Sequence, residues 1–277
     1  MKIDKIIQAY FSPTGGTKKV VTTAAEALAQ ALQLPVETVD FTQPAGRAKD
    51  IEVPADALLV VGVPVYAGRV PNKLLPFVHE HIKGAQSPVL ALVCYGNRSF
   101  GDGLSELVME LRGNGFCPVA AGAFVCQHSM NPALGTGRPD ESDLSQLRAL
   151  AANAAKRISE ISSVGELAEP AVDGNTPPGP YYRPLEQGGK PANFLKAKPK
   201  TDPDKCIRCG LCARVCSMGS IDPDDVSSVP GICIKCHACV HSCPQGAKYF
   251  DDPSLLSHLE MLTENYQAPN INAVFKF

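Results

Sequence analysis

The chain has 277 residues, with 26 Lys+Arg against 28 Asp+Glu and a formal net charge of −2, which is no electrostatic footprint for nucleic acid or an anionic membrane. Its length allows one or two domains, and no apolar run approaches the roughly 20 residues that span a bilayer. The N-terminus, Met1-Lys2-Ile3-Asp4-Lys5, is not followed by a signal-peptide apolar region, so the expected location is the cytoplasm, where thiols stay reduced.

An apolar run at 5–11 stops at Ser12-Pro13-Thr14-Gly15-Gly16-Thr17. Beyond it, Val20, Val21, Ala24, Leu28 and Leu32 share one face of a helix predicted over 17–33. The loop between them lacks the glycine and lysine spacing of nucleotide-hydrolysing loops and the Gly-x-Gly-x-x-Gly of dinucleotide folds. Three hydroxyls and free N–H groups at a helix start suit a terminal phosphate monoester. A plain N-cap and turn is the alternative.

Further strand-like runs follow at 36–40, 57–63, 88–94 and 118–126, with helices expected over 73–83, 102–115 and 140–162. The last has Asp140 as its cap and repeats Leu144, Leu147, Ala151, Ala154, Ile158 and Ile161 at helical spacing. Five strands alternating with helices predict an open parallel α/β sheet, whose ligands sit at the strands' carboxyl ends.

Two more loops leave that edge. Pro64, Val65, Tyr66, Ala67 and Gly68 follow the third strand; Tyr95, Gly96, Asn97, Arg98, Gly101 and Asp102 follow the fourth. The chain has no Trp and only 6% aromatics, so two tyrosines at one edge are informative. A phosphate loop and two aromatic loops suit a planar phosphorylated cofactor such as FMN; ordinary packing is the alternative for Tyr66 and Tyr95. The connection after the fifth strand, QHSMNPALGTGRP (127–139), exceeds the roughly 2–6 residues usual there. It can reach the ring, and His128 is its candidate catalytic proton donor. Against that stands a solvated loop in which Arg138 and Asp140 only cap the helix.

Cysteine use is uneven. Cys94, Cys117 and Cys126 end or interrupt apolar runs and are expected to behave as small core hydrophobes. Eight more form two copies of Cys-x-x-Cys-x-x-Cys-x-x-x-Cys, CIRCGLCARVC (206–216) and CIKCHACVHSC (233–243), offset by 27 residues. That is the spacing of bacterial ferredoxins with two [4Fe–4S] clusters. Three closely spaced cysteines wrap one cubane and the fourth crosses to the other, so the expected sets are Cys206, Cys209, Cys212, Cys243 and Cys233, Cys236, Cys239, Cys216. Zinc modules want four ligands rather than two interleaved runs of four, and disulfides are disfavoured in a reducing compartment. Pro244 follows Cys243 in the usual way, but Ser217 follows Cys216, which predicts a looser turn and a shifted potential for the second cluster.

Residues 170–203 hold eight of the 24 prolines, so 166–200 reads as an extended, semi-rigid linker. The expected division is 1–165 for the cofactor sheet, 166–200 for the linker, 201–250 for the cluster domain, and 251–277 for a helix near 254–266 and a tail. That tail, APNINAVFKF, carries Val274, Phe275 and Phe277 and is expected to dock.

The SPTGGT loop resembles the phosphate loop of flavodoxin, and PVYAGRVP and YGNRSFGDG look like the two loops that hold its ring. With the cysteine-rich segment, the chain resembles the flavodoxin–ferredoxin fusion proteins of anaerobic bacteria and archaea. The resemblance implies a flavodoxin-like five-stranded parallel sheet with helices on both faces, then a small α+β ferredoxin domain. It also implies FMN, two [4Fe–4S] clusters and electron transfer with a redox partner protein. The substrate stays open between a flavin enzyme acting on a small acceptor, with proton donors over a covered ring, and a carrier with a bare ring edge.

Overall fold

The computed structural model describes residues 1–168 and 171–275. Strands in chain order are β1 (Lys5–Tyr10), β2 (Val36–Asp40), β3 (Ile51–Val53), β4 (Ala57–Pro64), β5 (Ile82–Gly84), β6 (Ser87–Tyr95), β7 (Phe116–Val125), β8 (Lys200–Thr201), β9 (Lys248–Tyr249) and β10 (Ala273–Phe275). Helices are α1 (Gly16–Leu32), α2 (Leu75–His81), α3 (Gly103–Gly113), α4 (Glu141–Glu160), α5 (Leu211–Arg214), α6 (Ala238–His241) and α7 (Pro253–Asn265). None among the described residues is long and apolar enough to cross a membrane.

The main sheet runs β10-β7-β6-β4-β1-β2, and its five strands from β7 to β2 are parallel. Strand alternation buries both faces. Ile7 and Ala9 of β1 join the core shared with Val78 of α2 and Leu104 and Leu107 of α3, while Ile6 and Tyr10 join the one shared with Val20 and Leu28 of α1 and Leu147 and Leu150 of α4. Asp140 caps α4 as expected: its Oδ1 accepts from Asp143 N at 3.1 Å, and Asp143 Oδ2 accepts from Asp140 N at 2.8 Å.

The sheet has six strands rather than five. β10, from the tail, pairs antiparallel with the edge strand β7, with Val274 opposite Gly122, so the tail covers an open row of backbone groups. Phe277 lies outside the described residues. The β3–β5 pair was not legible either, because three-residue strands are too short to show alternation.

The Pro-rich segment lies against the sheet's loop edge; its Glu169 and Pro170 are outside the described residues. The Asp102 carboxylate accepts from Asn175 N at 2.9 Å and Gly179 N at 2.8 Å, and Tyr182 N donates to Ala67 O at 2.8 Å. Arg69 holds both sides, forked on buried Glu106 and donating to Gly179 O, with Tyr181 over its guanidinium at 4.8 Å. The cysteine-rich unit closes through the two-residue ladder of β8 and β9.

Candidate cofactor site

At the carboxyl ends of β1, β4, β6 and β7 lies a cavity of about 810 Å³, within the roughly 300–1,000 Å³ of small-molecule sites. The sheet order reverses between β1 and β4, so their loops part there and leave the crevice open.

One end is the opening of α1. Gly15 takes φ 91°, a conformation glycine adopts freely, and turns the chain into the helix. Ser12 Oγ accepts from Lys18 N at 2.9 Å, which holds the loop closed. No acidic residue stands in the helix's first turn, so amide dipoles and the Thr14 and Thr17 hydroxyls face the cavity without an opposing charge. Gly16 lets the helix start lie on Cys126, whose Sγ would stand 3.3 Å from an added Cβ. The residues present fit a phosphate monoester.

All of Ser12 to Thr17 line the cavity, as do Pro64, Val65, Tyr66, Ala67, Tyr95, Gly96 and Arg98. The other four expected cofactor contacts do not. Gly68 and Ala67 take φ 78° and 51° inside the turn closed by Tyr66 N to Arg69 O at 2.9 Å, so Gly68 shapes the loop. Gly101 lets the two ring loops meet, since a Cβ there would lie 2.6 Å from Gly68 O. Asn97 Nδ2 donates to Tyr266 O at 2.7 Å and Ala268 O at 3.0 Å, and its Oδ1 accepts from Asn270 N at 2.9 Å. Asn97 is therefore an anchor for the tail, as Asp102 is for the linker. Burial opposes ionisation of Asp102, but the Asn175 and Gly179 amides outweigh it and lower its pKa.

Tyr95 serves twice: it lines the cavity and its OH donates to Ile271 O at 2.5 Å. Burial pushes this phenol up to about 12. Tyr66 is raised well above its ordinary value by burial and by the nearby Cys236 and Cys233 thiols, which places it between the sheet edge and the second cysteine loop.

The loop 127–139 is not a free surface loop. Leu134 is fully buried with Met261 and Leu262 of α7, and Asn131 Nδ2 donates to Thr263 Oγ1 at 2.7 Å. Arg138 is forked on Asp143, a structural role. His128 lines the cavity and lies against Gly96, where a Cβ would meet its ring at 2.3 Å. Its Nδ1 accepts from Met130 N at 3.2 Å and Asn131 N at 3.1 Å, which leaves the hydrogen on Nε2. Burial, then His258 and Arg98, lowers its pKa to about 4, so near neutrality it can offer an N–H but not an imidazolium proton.

Several lining residues were not among the expected site residues: Tyr181, Tyr182 and Phe194 of the linker, Ile232 just before the second cysteine motif, Lys235 and His241 within it, and His258 and Leu262 of α7. Long-range packing puts them there; no local pattern marks them.

The cysteines gather as two crossed sets. Cys206, Cys209, Cys212 and Cys243 surround one small hollow. Cys216 is felt electrostatically by Cys233, Cys236 and Cys239. Backbone amides reach the sulfurs: Ser220 N to Cys216 Sγ at 3.3 Å, Lys235 N to Cys233 Sγ at 3.4 Å and Ala247 N to Cys243 Sγ at 3.2 Å. Burial works against Cys243, but four following amides lower its pKa, whereas burial and three neighbouring thiols push Cys239 up to about 12. The amide donors fit iron ligation, because a coordinating thiol is deprotonated outright and N–H groups stabilise the resulting thiolate. Of the other three, Cys94 and Cys126 are buried, but Cys117 is partly exposed, with Sγ 3.5 Å from Gln86 Oε1, because it stands at the start of β7.

The Flavodoxin domain model matches residues 7–100, and the 4Fe-4S dicluster domain model matches residues 205–247. No curated protein matches the chain. Among solved structures, a flavodoxin from the domain Archaea aligns at 15% identity over 56% of this chain and 99% of its own, with a TM-score of 0.41. Oxidised Flavodoxin 2 from Bacillus cereus aligns at 17% identity over 55% and 99%, also at 0.41. Rubredoxin oxygen:oxidoreductase from the anaerobe Desulfovibrio gigas aligns at 18% identity and a TM-score of 0.37, over 57% of this chain but 37% of its own. The chain thus joins a flavodoxin domain to a 4Fe-4S dicluster domain, the make-up of a flavodoxin–ferredoxin fusion and of an iron–sulfur flavoprotein.

Proposed function

We propose that the protein is a flavin-dependent oxidoreductase that exchanges electrons between two [4Fe–4S] clusters and one FMN and delivers them to a small acceptor, in a reducing cytoplasm. The observation that carries this reading is Cys233: a residue of the second cysteine motif lines the same cavity as Ser12–Thr17. When bound, the clusters supply single electrons and the flavin can pass on one or two.

The chain's own residues do the rest. Ser12 to Thr17 and the α1 dipole hold the phosphate. Tyr66 and Tyr95 flank the ring. Cys206, Cys209, Cys212 and Cys243 hold one cluster, and Cys233, Cys236, Cys239 and Cys216 hold the one nearer the flavin. Tyr182, Phe194 and α7 close the cavity on the side that a bare electron carrier would leave open. That closure favours an enzyme over a carrier, with His128 offering an N–H to the acceptor. We divide the chain at 1–165, 166–200, 201–250 and 251–277, with the linker and the C-terminal segment both acting as cavity walls.

Anaerobic purification followed by stopped-flow reduction tests the reading. Roughly eight iron atoms and one FMN per chain are expected, with flavin bleaching that follows cluster reduction. Cys236→Ser should keep the FMN and slow that bleaching at least tenfold. Bleaching at the wild-type rate in that variant rules out the second cluster as the route.

A further inference from the structure

We propose that Arg98, flanked by His128 and His258, binds the carboxylate of a small organic acid inside the cavity beside the flavin; this rests on the flavoprotein reading above. The charge balance of the cavity is one-sided. Among the described residues no Asp or Glu lines it, while Lys19, Lys73, Arg98, Arg138 and Lys235 do. Arg138 is neutralised by Asp143. Lys19 sits in the first turn behind the phosphate loop and donates to Pro139 O at 2.7 Å. Lys235 donates to Leu195 O at 2.5 Å next to Cys233.

Arg98 has no such occupation. Its guanidinium lies over the Tyr182 ring at 3.9 Å and faces Tyr266 at 6.0 Å, contacts that take up its flat faces. Among the described residues no carboxylate pairs with it. The in-plane N–H edge is left for an acceptor, and a planar fork fits a carboxylate better than a point cation would. Its backbone is held in place: Arg98 N donates to Gly96 O at 2.9 Å, and Arg98 O accepts from Asn270 Nδ2 at 3.2 Å.

The two histidines add directional groups without charge. His128 presents Nε2–H, because its Nδ1 is taken by two amides. His258 Nδ1–H donates to Leu185 O at 2.7 Å, which leaves Nε2 to accept from a donor elsewhere on a ligand and not from the carboxylate, which has none. Burial lowers both pKa values, and Arg98 itself lowers them further. Phe194, 5.3 Å from the His258 ring, and Leu262 add apolar surface. The ligand this wall fits is a carboxylate on a short apolar body.

Benzoate and the neutral benzyl alcohol, titrated into the FMN- and cluster-loaded protein while the flavin spectrum is recorded, test this. Saturable perturbation by benzoate is expected, weakened roughly tenfold or more in Arg98→Met. Iron content and the weaker benzyl alcohol response should stay unchanged, with affinities compared at matched FMN occupancy. Arg98→Lys, which keeps the charge but loses the fork, should show a severalfold loss and serves alone if Arg98→Met does not fold. Equal benzoate affinity in wild type and variants overturns the site, and so does loss of FMN in Arg98→Met, which would make Arg98 a flavin ligand. Wild-type protein that takes up no FMN sinks the flavoprotein reading, and this site with it.

Discussion

Residues 206–216 and 233–243 share one spacing and one backbone path, yet they stand in different surroundings. Arg208 and Lys235, each just before a second cysteine, take φ 54° and 55°. Gly210 and His237, each just after it, take 71° and 59°. Glycine adopts that conformation freely; His237 is braced there by stacking on Phe250 at 4.6 Å and 5°. The first motif faces out, with Cys209 exposed and Ile207 62% exposed. The second faces in, with Cys233 on the cavity wall, while the third cysteine of each, Cys212 and Cys239, is buried alike. After the fourth cysteine the difference is chemical: Ser217 is fully buried with Oγ 3.6 Å from Cys236 Sγ, where Pro244 has no side-chain donor. The spacing is shared; position relative to the cavity is what separates the two motifs.

The strongest way to break this comparison is Cys216→Ser. Because Cys216 sits with Cys233, Cys236 and Cys239, the inner cluster should be lost, along with roughly half of the iron, while the outer one persists. Electron paramagnetic resonance that finds the outer cluster missing would reverse the pairing.

Separating the flavin end from both motifs comes next. Thr14→Val with Thr17→Val removes two hydroxyls at the helix start, and hydrogen bonds to charged groups are worth about 1.5–3 kcal/mol each. FMN affinity should fall at least a hundredfold with iron content unchanged; flavin retained through gel filtration would refute the phosphate site.

A smaller effect separates the loop 127–139 from the cysteines by pH. His128 has a folded pKa of about 4, below its ordinary 6.5, so between those values the unfolded chain binds more protons than the native one. Its contribution to stability is therefore full above pH 6.5 and declines as pH falls toward 4. His128→Gln should narrow the loss of melting temperature between pH 7.5 and pH 5. The same loss in both proteins would mean that the ring is not held neutral.

The finest contrast is Ser217→Ala. A hydroxyl donor to Cys236 Sγ favours the more negative, reduced cluster, so its removal should lower the inner midpoint potential and leave the outer one in place. Redox titration followed by electron paramagnetic resonance reads both. Sequence reasoning expected a looser turn at Ser217; instead Ser217 is fully buried, and its carbonyl accepts from Arg47 Nη2 at 2.5 Å.

Local chemistry and periodicity were enough for much of this molecule. Apolar runs marked the five parallel strands most clearly at β4 and β6, because a strand buried on both faces leaves a dense apolar stretch, whereas β2 at the edge is largely exposed. A duplicated cysteine spacing marked the dicluster domain and its candidate ligand sets, because a cubane needs thiols at fixed reach. Hydroxyls and glycines before an Ala-rich helix marked the candidate phosphate loop, because its amides are local backbone groups. What tertiary structure alone decided is what covers the cavity. Tyr182, Phe194, His258 and Cys233 lie more than a hundred residues from the phosphate loop and reach the same wall only through the folded linker and α7. Asn97 and Asp102 carried the polar character of ligand contacts, but the tail and linker, arriving late in the chain, took their hydrogen bonds. The antiparallel strand β10 was equally unreadable, since three residues carry no period and only the open edge of β7 gives them a register.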